Sequence, residues 1–328
     1  MPTKRKSRKL KTNQTDLYQQ VTDKIVASIE RGVLPWRKPW RDSKKTAESP
    51  IPSNASTGRH YNGVNIMLLW LSAEEQGFSS NRWLTWKQAQ AAGGNVRKGE
   101  KATVAVFFKP FEVEATDKFG QPRTNAQGET MMEQRIMLRS IMLFNIEQCE
   151  GLPEKLIGTV SEILDDEIVD TLSAPIFNDI VTIAGETGIR VSYSEQNRAY
   201  YHSMKDKIVL PLRKQFFTQA DFCSTLLHEL VHATGHHSRL DREGITSTSR
   251  TFGDPVYAFE ELIAELGSAF LCAHLGVYGE VQHDSYIEHW LKILKSDKKA
   301  LFRACRMARE ASAHLLEPLH EAAEEDAA

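Results

Sequence analysis

The stretch that most constrains this chain is residues 225–237, TLLHELVHATGHH, which contain the pattern H-E-x-x-H. Residues four apart on a helix lie on the same face, so His228 and His232 can bind one metal ion through their imidazoles. Glu229 lies between them and can reach a water molecule bound to that ion. The pattern predicts a site for one zinc ion, with the two histidines as ligands and Glu229 as the catalytic general base.

The residues around this pattern favour a helix. Thr218 can cap its first turn, and Asp221 stands where a capping box usually has Glu. Gly235 follows the second histidine and is predicted to end the helix in the left-handed conformation. A core helix with two hydrogen-bonded histidines is the alternative, but it leaves a buried Glu229 carboxylate without a partner. Apolar residues repeat at helical spacing and define an inward face: Phe222, Leu226, Leu227, Leu230 and Val231.

A third ligand is needed, because a catalytic zinc ion usually has three protein ligands and one open position. Residues 257–271, YAFEELIAELGSAFL, form a second helical pattern with Glu261 and Glu265 on one face. This resembles the thermolysin-like gluzincin plan, in which a ligating Glu precedes a supporting acid by four residues. The resemblance implies Glu261 as the ligand and Glu265 as the acid that accepts the free N–H of a ligating histidine. Glu260 is the alternative ligand, and a solvated acidic face is the other interpretation.

Length and charge indicate two modules. The 328 residues are enough for two domains, and a hydrophobic fraction of 41% suits a globular chain. Residues 1–150 contain 24 Lys and Arg against 15 Asp and Glu, a net charge of +9, whereas residues 151–328 carry −11. A basic half can attract a polyanion by counterion release, and the acidic half is expected to repel one. Residues 1–15 are predicted to be a basic, disordered tail.

Tryptophans and cations in the basic half indicate contacts with nucleic acid. Residues 34–41 read LPWRKPWR, in which two tryptophans alternate with three cations. Such a surface suits base stacking and phosphate pairing with a single strand. The alternative, that the tryptophans fill a small core, fits the sequence equally well, and Trp83 and Trp86 could also stack. The predicted contacts with single-stranded DNA are Trp36, Arg37, Lys38, Trp40, Arg41, Arg59, Tyr61, Arg97, Lys98 and Lys101.

The periodicity predicts an α+β fold with two domains, residues 16–150 and 159–320. Helices are predicted at 16–31, 66–76, 83–92, 159–173, 177–187 and, as one or two helices, 286–316. Strands are predicted at 102–109, 135–145, 189–194 and 207–210, with a long hairpin loop at 112–134. Residues 239–242, RLDR, are interpreted as a local charge pair.

The sequence gives no sign of a membrane or secretory protein. No apolar run approaches the ~18 residues of a membrane span, and the N-terminus lacks the apolar stretch of a secretory signal. The four cysteines are far apart and form no C-x-x-C. They are interpreted as reduced thiols of a cytoplasmic protein without a membrane partner.

Several segments together resemble a known family over nearly the whole chain. The first half contains DLYQQVTDKI, LPWRKPW, YNGVN, WLTWKQAQAAGGNVRKGEK and FNIEQCEGL. The second half contains KDKIVLP, TLLHELVHATGH, SRLDR, YAFEELIAELGSAFL and YIEHWLKILKSDKK. These segments resemble the plasmid antirestriction proteins of the ArdC type and the conjugative primases of the TraC type. The resemblance implies a first domain that binds single-stranded DNA, a second domain with a zincin-like metallopeptidase fold, and protection of incoming conjugated DNA from host restriction.

The partners expected on this basis are single-stranded DNA and a protein or peptide substrate, such as host restriction components. Two alternatives stay open. The zinc domain could be a structural or docking element of a DNA-binding protector, without turnover. The protein could also be a helper of a primase or relaxase. The sequence contains no nucleotide-binding motif of the form G-x-x-x-x-G-K-[ST].

Overall fold

A computed structural model describes residues 16–37, 49–157, 174–247, 254–279 and 286–326. The predicted basic tail, residues 1–15, lies outside these ranges. So do the helix predicted at 159–173 and three of the predicted DNA contacts, Lys38, Trp40 and Arg41.

The described residues form an α+β fold, as predicted. The helices are α1 (Leu17–Glu30), α2 (Val64–Gln76), α3 (Trp86–Ala91), α4 (Glu154–Ile157), α5 (Ala174–Glu186), α6 (Gln219–Thr234), α7 (Glu243–Thr246), α8 (Pro255–Leu275), α9 (Ile287–Ser296) and α10 (Ala300–Asp326). The strands are β1 (Ser53–Asn54), β2 (Arg82–Leu84), β3 (Asn95–Val96), β4 (Thr103–Glu114), β5 (Met132–Asn145), β6 (Cys149–Glu150), β7 (Arg190–Ser194), β8 (Tyr200–His202) and β9 (Lys207–Pro211). The predicted helices and strands that fall on described residues are confirmed with shifted ends, and residues 286–316 fall in two helices. The helix predicted at 83–92 is wrong at its start, because Trp83 and Leu84 belong to β2 and the helix begins at Trp86.

In the N-terminal region four strands form a sheet in the order β1-β2-β5-β4, in which only β1 and β2 are parallel. The β4–β5 ladder begins with Thr103 opposite Leu143 and continues to Glu114 opposite Met132. Both strands are therefore longer than predicted, and the loop predicted at 112–134 is wrong at its two ends. Backbone hydrogen bonds between the strands hold the outer part of this ribbon, whose side chains are mostly exposed. Its sequence therefore lacks a regular apolar pattern from which strands could be predicted.

In the C-terminal region a three-stranded sheet has β9 in the middle, parallel to β7 and antiparallel to β8. α6 follows β9 and packs on α8, which also packs on α10. Nearly every residue of α8 between Ala258 and Leu275 is buried. Polar side chains on α8 must therefore find partners inside the protein, because an unpaired buried polar group is costly.

The two regions share one continuous apolar core. α1 packs on α9, and the hydroxyl of Thr22 donates a hydrogen bond of 2.9 Å to the carbonyl of Lys298. The turn after α1 inserts Trp36 into the same core, where its ring meets the edge of the Trp290 ring at 5.9 Å between centroids. The N-terminal region is thus built onto the C-terminal helices, although the charge asymmetry suggested separate modules.

No helix among the described residues is both long and apolar enough to cross a membrane. All four cysteines are free thiols. Burial raises the pKa of the Cys223 thiol to about 11 and that of Cys272 to about 12, so both stay protonated at neutral pH.

We expect Gly267→Ala to destabilise the fold at the contact between α6 and α8. A Cβ at this position would lie 2.9 Å from Cγ1 of Val231 on α6, so the helices must separate, at a cost of about 1–3 kcal/mol. Gly185→Ala is the matched control, because a Cβ there meets no atom within 4 Å and the change favours helix by up to about 1 kcal/mol. Urea denaturation followed by circular dichroism measures both. Equal effects of the two substitutions would contradict this close approach.

Candidate metal centre

α6 presents the H-E-x-x-H residues from a well-defined start. The Thr218 side chain accepts a hydrogen bond of 2.9 Å from the N–H of Asp221, which confirms the predicted cap. The prediction for Gly235 is wrong, since its φ of −76° is right-handed. Glycine is required there for space, because a Cβ would lie 2.6 Å from Cγ1 of Ile245.

The three predicted ligands, His228, His232 and Glu261, come together in the buried contact between α6 and α8. Nε2 of His228 lies 3.7 Å from Oε2 of Glu261, and Nε2 of His232 lies 3.5 Å from Oε1 of Glu261. These distances exceed those of ordinary hydrogen bonds. They match the roughly 3.4 Å that separates two ligands at ~2.1 Å from one tetrahedral ion. The three side chains therefore fit a divalent cation held between them.

Each imidazole has a second carboxylate behind it. Nδ1 of His228 lies 3.8 Å from Oε2 of Glu265, and Nδ1 of His232 lies 3.4 Å from Oε1 of Glu260. Carboxylates in this position orient the rings of metal-binding histidines and make them better ligands. The separation between Glu265 and His228 is longer than a hydrogen bond, so the predicted support of His228 by Glu265 stays a prediction. Glu260, the alternative ligand, supports His232 from outside the ligand set.

Arg242 holds Glu260 in place. Its Nε lies 3.0 Å from Oε2 of Glu260, and the same guanidinium donates to the Thr234 hydroxyl and the Val231 carbonyl, each at 2.7 Å. Burial raises the pKa of Glu260, but the charge of Arg242, together with the hydrogen bonds from His232 and Arg242, outweighs this effect and holds that pKa below its usual range. The interpretation of residues 239–242 as a local charge pair is therefore wrong for Arg242, whose partner is 18 residues away.

The carboxylates give the site a strong preference for positive charge. Burial lowers the pKa of His232, but the charge of Glu261, the hydrogen bonds to Glu260 and Glu261 and the charge of Glu229 outweigh this effect and raise that pKa to about 10. Glu229 itself is only 5% exposed. A divalent cation can replace the proton of His232, because metal binding requires the neutral imidazole.

Two tyrosines were not identified from the sequence. The hydroxyl of Tyr286 lies 3.5 Å from that of Tyr257, and Tyr257 is hydrogen-bonded to Glu261. Burial, followed by the Glu261 charge, raises the pKa of Tyr257, so its phenol stays a proton donor. Tyr257 precedes Glu261 by four residues on the same helix face, and that spacing could have identified it. No comparable signal points to Tyr286.

The residues predicted to contact DNA differ in their exposure to solvent. The prediction that Trp36 stacks on bases is wrong, because its side chain is 2% exposed and lies in the core, as does that of Trp83. Trp86 is 47% exposed. Arg37 extends toward the metal centre, with its Nε 3.6 Å from Oε1 of Glu265.

The remaining predicted contacts lie on the surface of the N-terminal region. Arg59, Lys98 and Lys101 are exposed, and Arg97 forms a salt bridge of 2.9 Å with Glu100. Tyr61 is half-buried and its hydroxyl accepts a hydrogen bond of 3.2 Å from Asn54. A role in DNA binding stays a prediction for these residues.

Comparison with known proteins assigns a family to both regions. The family model for the N-terminal domain of the anti-restriction factor ArdC matches residues 15–144, and that for zincin-like metallopeptidases matches residues 178–307. DNA primase TraC of Escherichia coli is 35% identical over 303 residues, which are 89% of this chain and 26% of the primase. The chain therefore spans about a quarter of that relative's length.

Solved structures extend the likeness to the whole fold. The metal-free crystal structure of the antirestriction protein ArdC from plasmid R388 is 36% identical, with a TM-score of 0.74 over 93% of this chain and 98% of that one. The Mn(II)-bound structure of ArdC gives a TM-score of 0.69 at 36% identity, over 92% of this chain and 98% of that one. With sequence and fold in agreement, the chain belongs to the family of ArdC-like antirestriction proteins, in which an ArdC-type N-terminal domain precedes a zincin-like metallopeptidase domain.

Proposed function

We propose that the C-terminal domain is a zinc-dependent peptidase with a centre formed by His228, His232 and Glu261. The observation that carries this proposal is that Nε2 of both imidazoles faces one carboxylate, 3.7 Å and 3.5 Å away. Two histidines and one Glu are a common ligand set for catalytic zinc. Manganese is the competing metal, since the related ArdC has a Mn(II)-bound crystal structure.

The surrounding side chains suit hydrolysis of a peptide bond. A bound ion would supply a Lewis acid and lower the pKa of a water molecule toward ~7. Glu229 adjoins His228 on α6, and as general base it would take the proton of the attacking water and pass it to the leaving amine. The Tyr257–Tyr286 pair keeps phenol protons beside Glu261, where one can donate to the developing oxyanion.

We expect wild-type protein to bind one zinc ion per chain and His228→Ala to weaken that binding at least about hundredfold, because a direct ligand is lost. His237→Ala is the matched control, since His237 is exposed and lies outside the ligand set. Dialysis against zinc or manganese followed by elemental analysis gives the stoichiometry, and competition with a chelating dye gives the affinity. Unchanged zinc binding by His228→Ala would exclude this centre.

We expect Glu229→Gln to keep its zinc but to lose about 10²–10⁴ in rate, the usual contribution of a general base. Mass spectrometry of a peptide library incubated with the zinc-loaded protein measures cleavage. Glu243→Gln, an exposed carboxylate on α7, is the control and should leave the rate unchanged. Full activity of a zinc-loaded Glu229→Gln protein would contradict the role of Glu229.

We propose that the N-terminal domain binds single-stranded DNA and that the protein protects transferred plasmid DNA from host restriction in the cytoplasm, with host restriction components as candidate substrates. Its family membership supports this role. Plasmid transfer into restricting and non-restricting recipients separates the alternatives. Loss of protection by a Glu229→Gln protein that still binds DNA makes peptide hydrolysis the function. Retained protection makes the zinc domain structural, and recovery of a primase or relaxase as the main partner favours an accessory role.

A groove between the N-terminal domain and α10 supports the proposal of single-strand binding, and its lining does not include Trp36. The groove encloses about 640 Å³. Phe107 and Phe108 of β4 line it with exposures of 44% and 54%, and Tyr61 is the predicted contact that it includes. Aromatic faces and cations along one channel are the recurring features of single-strand sites. α10 and the residue before it contribute four exposed cations to the groove: Lys299, Arg303, Arg306 and Arg309.

The cations of α10 can be shared with a phosphate backbone. Their spacing of four and three residues places them along one face of the helix. Arg303 pairs with Asp297 at 2.7 Å, and Arg306 pairs with Glu310 at 2.8 Å. Exposed ion pairs of this kind contribute only ~0–1 kcal/mol, so phosphates can replace them. The acidic half thus supplies part of the proposed DNA site, contrary to the repulsion expected from its net charge.

We expect Phe108→Ala to weaken binding of a labelled single-stranded oligonucleotide about tenfold, because a stacking face is lost. Arg309→Ala should reduce the slope of log affinity against log salt by about 0.7, since one phosphate contact disappears. Fluorescence anisotropy over a salt series measures both. Lys205→Ala removes an exposed cation outside the groove and is the control. Equal losses in Arg309→Ala and Lys205→Ala would exclude the groove.

A further inference from the structure

One carboxylate connects the N-terminal domain with the metal centre. The indole N–H of Trp36 points to Oε1 of Glu265, with Nε1 at 3.4 Å, and Nε of Arg37 lies 3.6 Å from the same oxygen. The other oxygen of this carboxylate, Oε2, lies 3.8 Å from Nδ1 of His228. A residue 229 positions away in the chain thus contacts the acid that supports a metal ligand.

The indole of Trp36 is fixed on more than one side. Its ring meets the Trp290 ring edge to face, with centroids 5.9 Å apart. Trp290 is fixed in turn by a hydrogen bond of 3.0 Å from its Nε1 to the carbonyl of Ala258 on α8, the helix that carries Glu265. The position of the Trp36 indole, through Trp290, and the position of its acceptor Glu265 are therefore both fixed relative to α8. Such a fixed donor limits the rotation of the carboxylate that it binds.

We propose that Trp36 is a positioning residue of the metal centre, acting through Glu265 on His228. With Oε1 of Glu265 held by the indole N–H, Oε2 stays directed at Nδ1 of His228. The imidazole then keeps its Nε2 directed at the ligand position, and less conformational freedom is lost when a metal binds. This inference rests on the proposed metal binding. It gives an N-terminal residue, first interpreted as a DNA contact, a role in the second domain.

The connection has a reciprocal consequence. If docking of Trp36 favours metal binding, metal binding must stabilise the docked turn by the same free energy. The N–H of Arg37 donates a backbone hydrogen bond of 3.0 Å to the carbonyl of Leu34, so its hydrogen exchange measures the stability of this turn. Hydrogen exchange at residue 37 should therefore slow when zinc is added.

The test compares Trp36→Phe with Trp70→Phe in the full chain. Both substitutions replace a buried indole and remove one N–H donor, since Nε1 of Trp70 donates to the carbonyl of Pro50 at 2.9 Å. We expect Trp36→Phe to weaken zinc binding by about tenfold, the lower end of the range for supporting residues of metal ligands. Trp70→Phe should lower the melting temperature to a similar degree and leave zinc affinity unchanged. Equal zinc affinities of the two variants would overturn the proposal.

A double-mutant cycle with Glu265→Ala establishes the route. Trp36→Phe should have no further effect on zinc affinity in the Glu265→Ala background, and zinc should no longer slow exchange at residue 37 there. Additive effects of the two substitutions would show that Trp36 does not act through Glu265. A wild-type protein that binds no metal would overturn the proposed function together with this inference. If the wild type binds zinc and Trp36→Phe binds it with the same affinity, only this inference is overturned.

Discussion

Four carboxylates buried between α6 and α8 set the main physical constraint on this fold. Glu229, Glu260, Glu261 and Glu265 are each no more than 5% exposed. Burying a charge costs several kcal/mol unless an opposite charge and hydrogen bonds compensate for it. The chain must therefore bring compensating groups to this point from elsewhere.

The partners come from different parts of the sequence, and together they explain the tertiary arrangement. The guanidinium of Arg242, just before α7, satisfies Glu260. Imidazoles from α6 face Glu261, and the turn after α1 brings Trp36 to Glu265. The last of these contacts accompanies the continuous core: α1 packs on α9, and the turn after α1 brings an N–H donor to a buried acid on α8.

The local part of this centre could be predicted from the sequence, and the distant part could not. His228 and His232 follow from the spacing of residues on one helix, which depends only on helical geometry. Glu261 and Glu265 were expected from the resemblance to the gluzincin plan, with Glu260 as the alternative ligand. The contacts of Arg242 and Trp36 cross 18 and 229 residues, and no periodicity encodes them. Composition alone was also ambiguous for tryptophan, since a Trp that stacks on DNA and a Trp that fills a core can have the same cationic neighbours. The net charge of each half was similarly uninformative, because part of the acidic excess is buried in the metal centre while α10 carries cations into a groove.

The shared core also limits how the groove proposed to bind DNA and the candidate metal centre can influence each other. The groove is lined by Tyr18 of α1 and by Arg306 of α10, and both helices belong to the core that holds Trp36 in place. Contiguity provides a physical connection, but coupling needs an element with two arrangements that each ligand favours differently. The turn that carries Trp36 is the element best placed for this role, because it follows α1 directly and its Trp36 side chain contacts Glu265. A strand of DNA that binds equally well to the docked and the undocked turn would have no effect on metal binding, however strongly it binds. A ligand with equal affinity for two states does not shift the equilibrium between them.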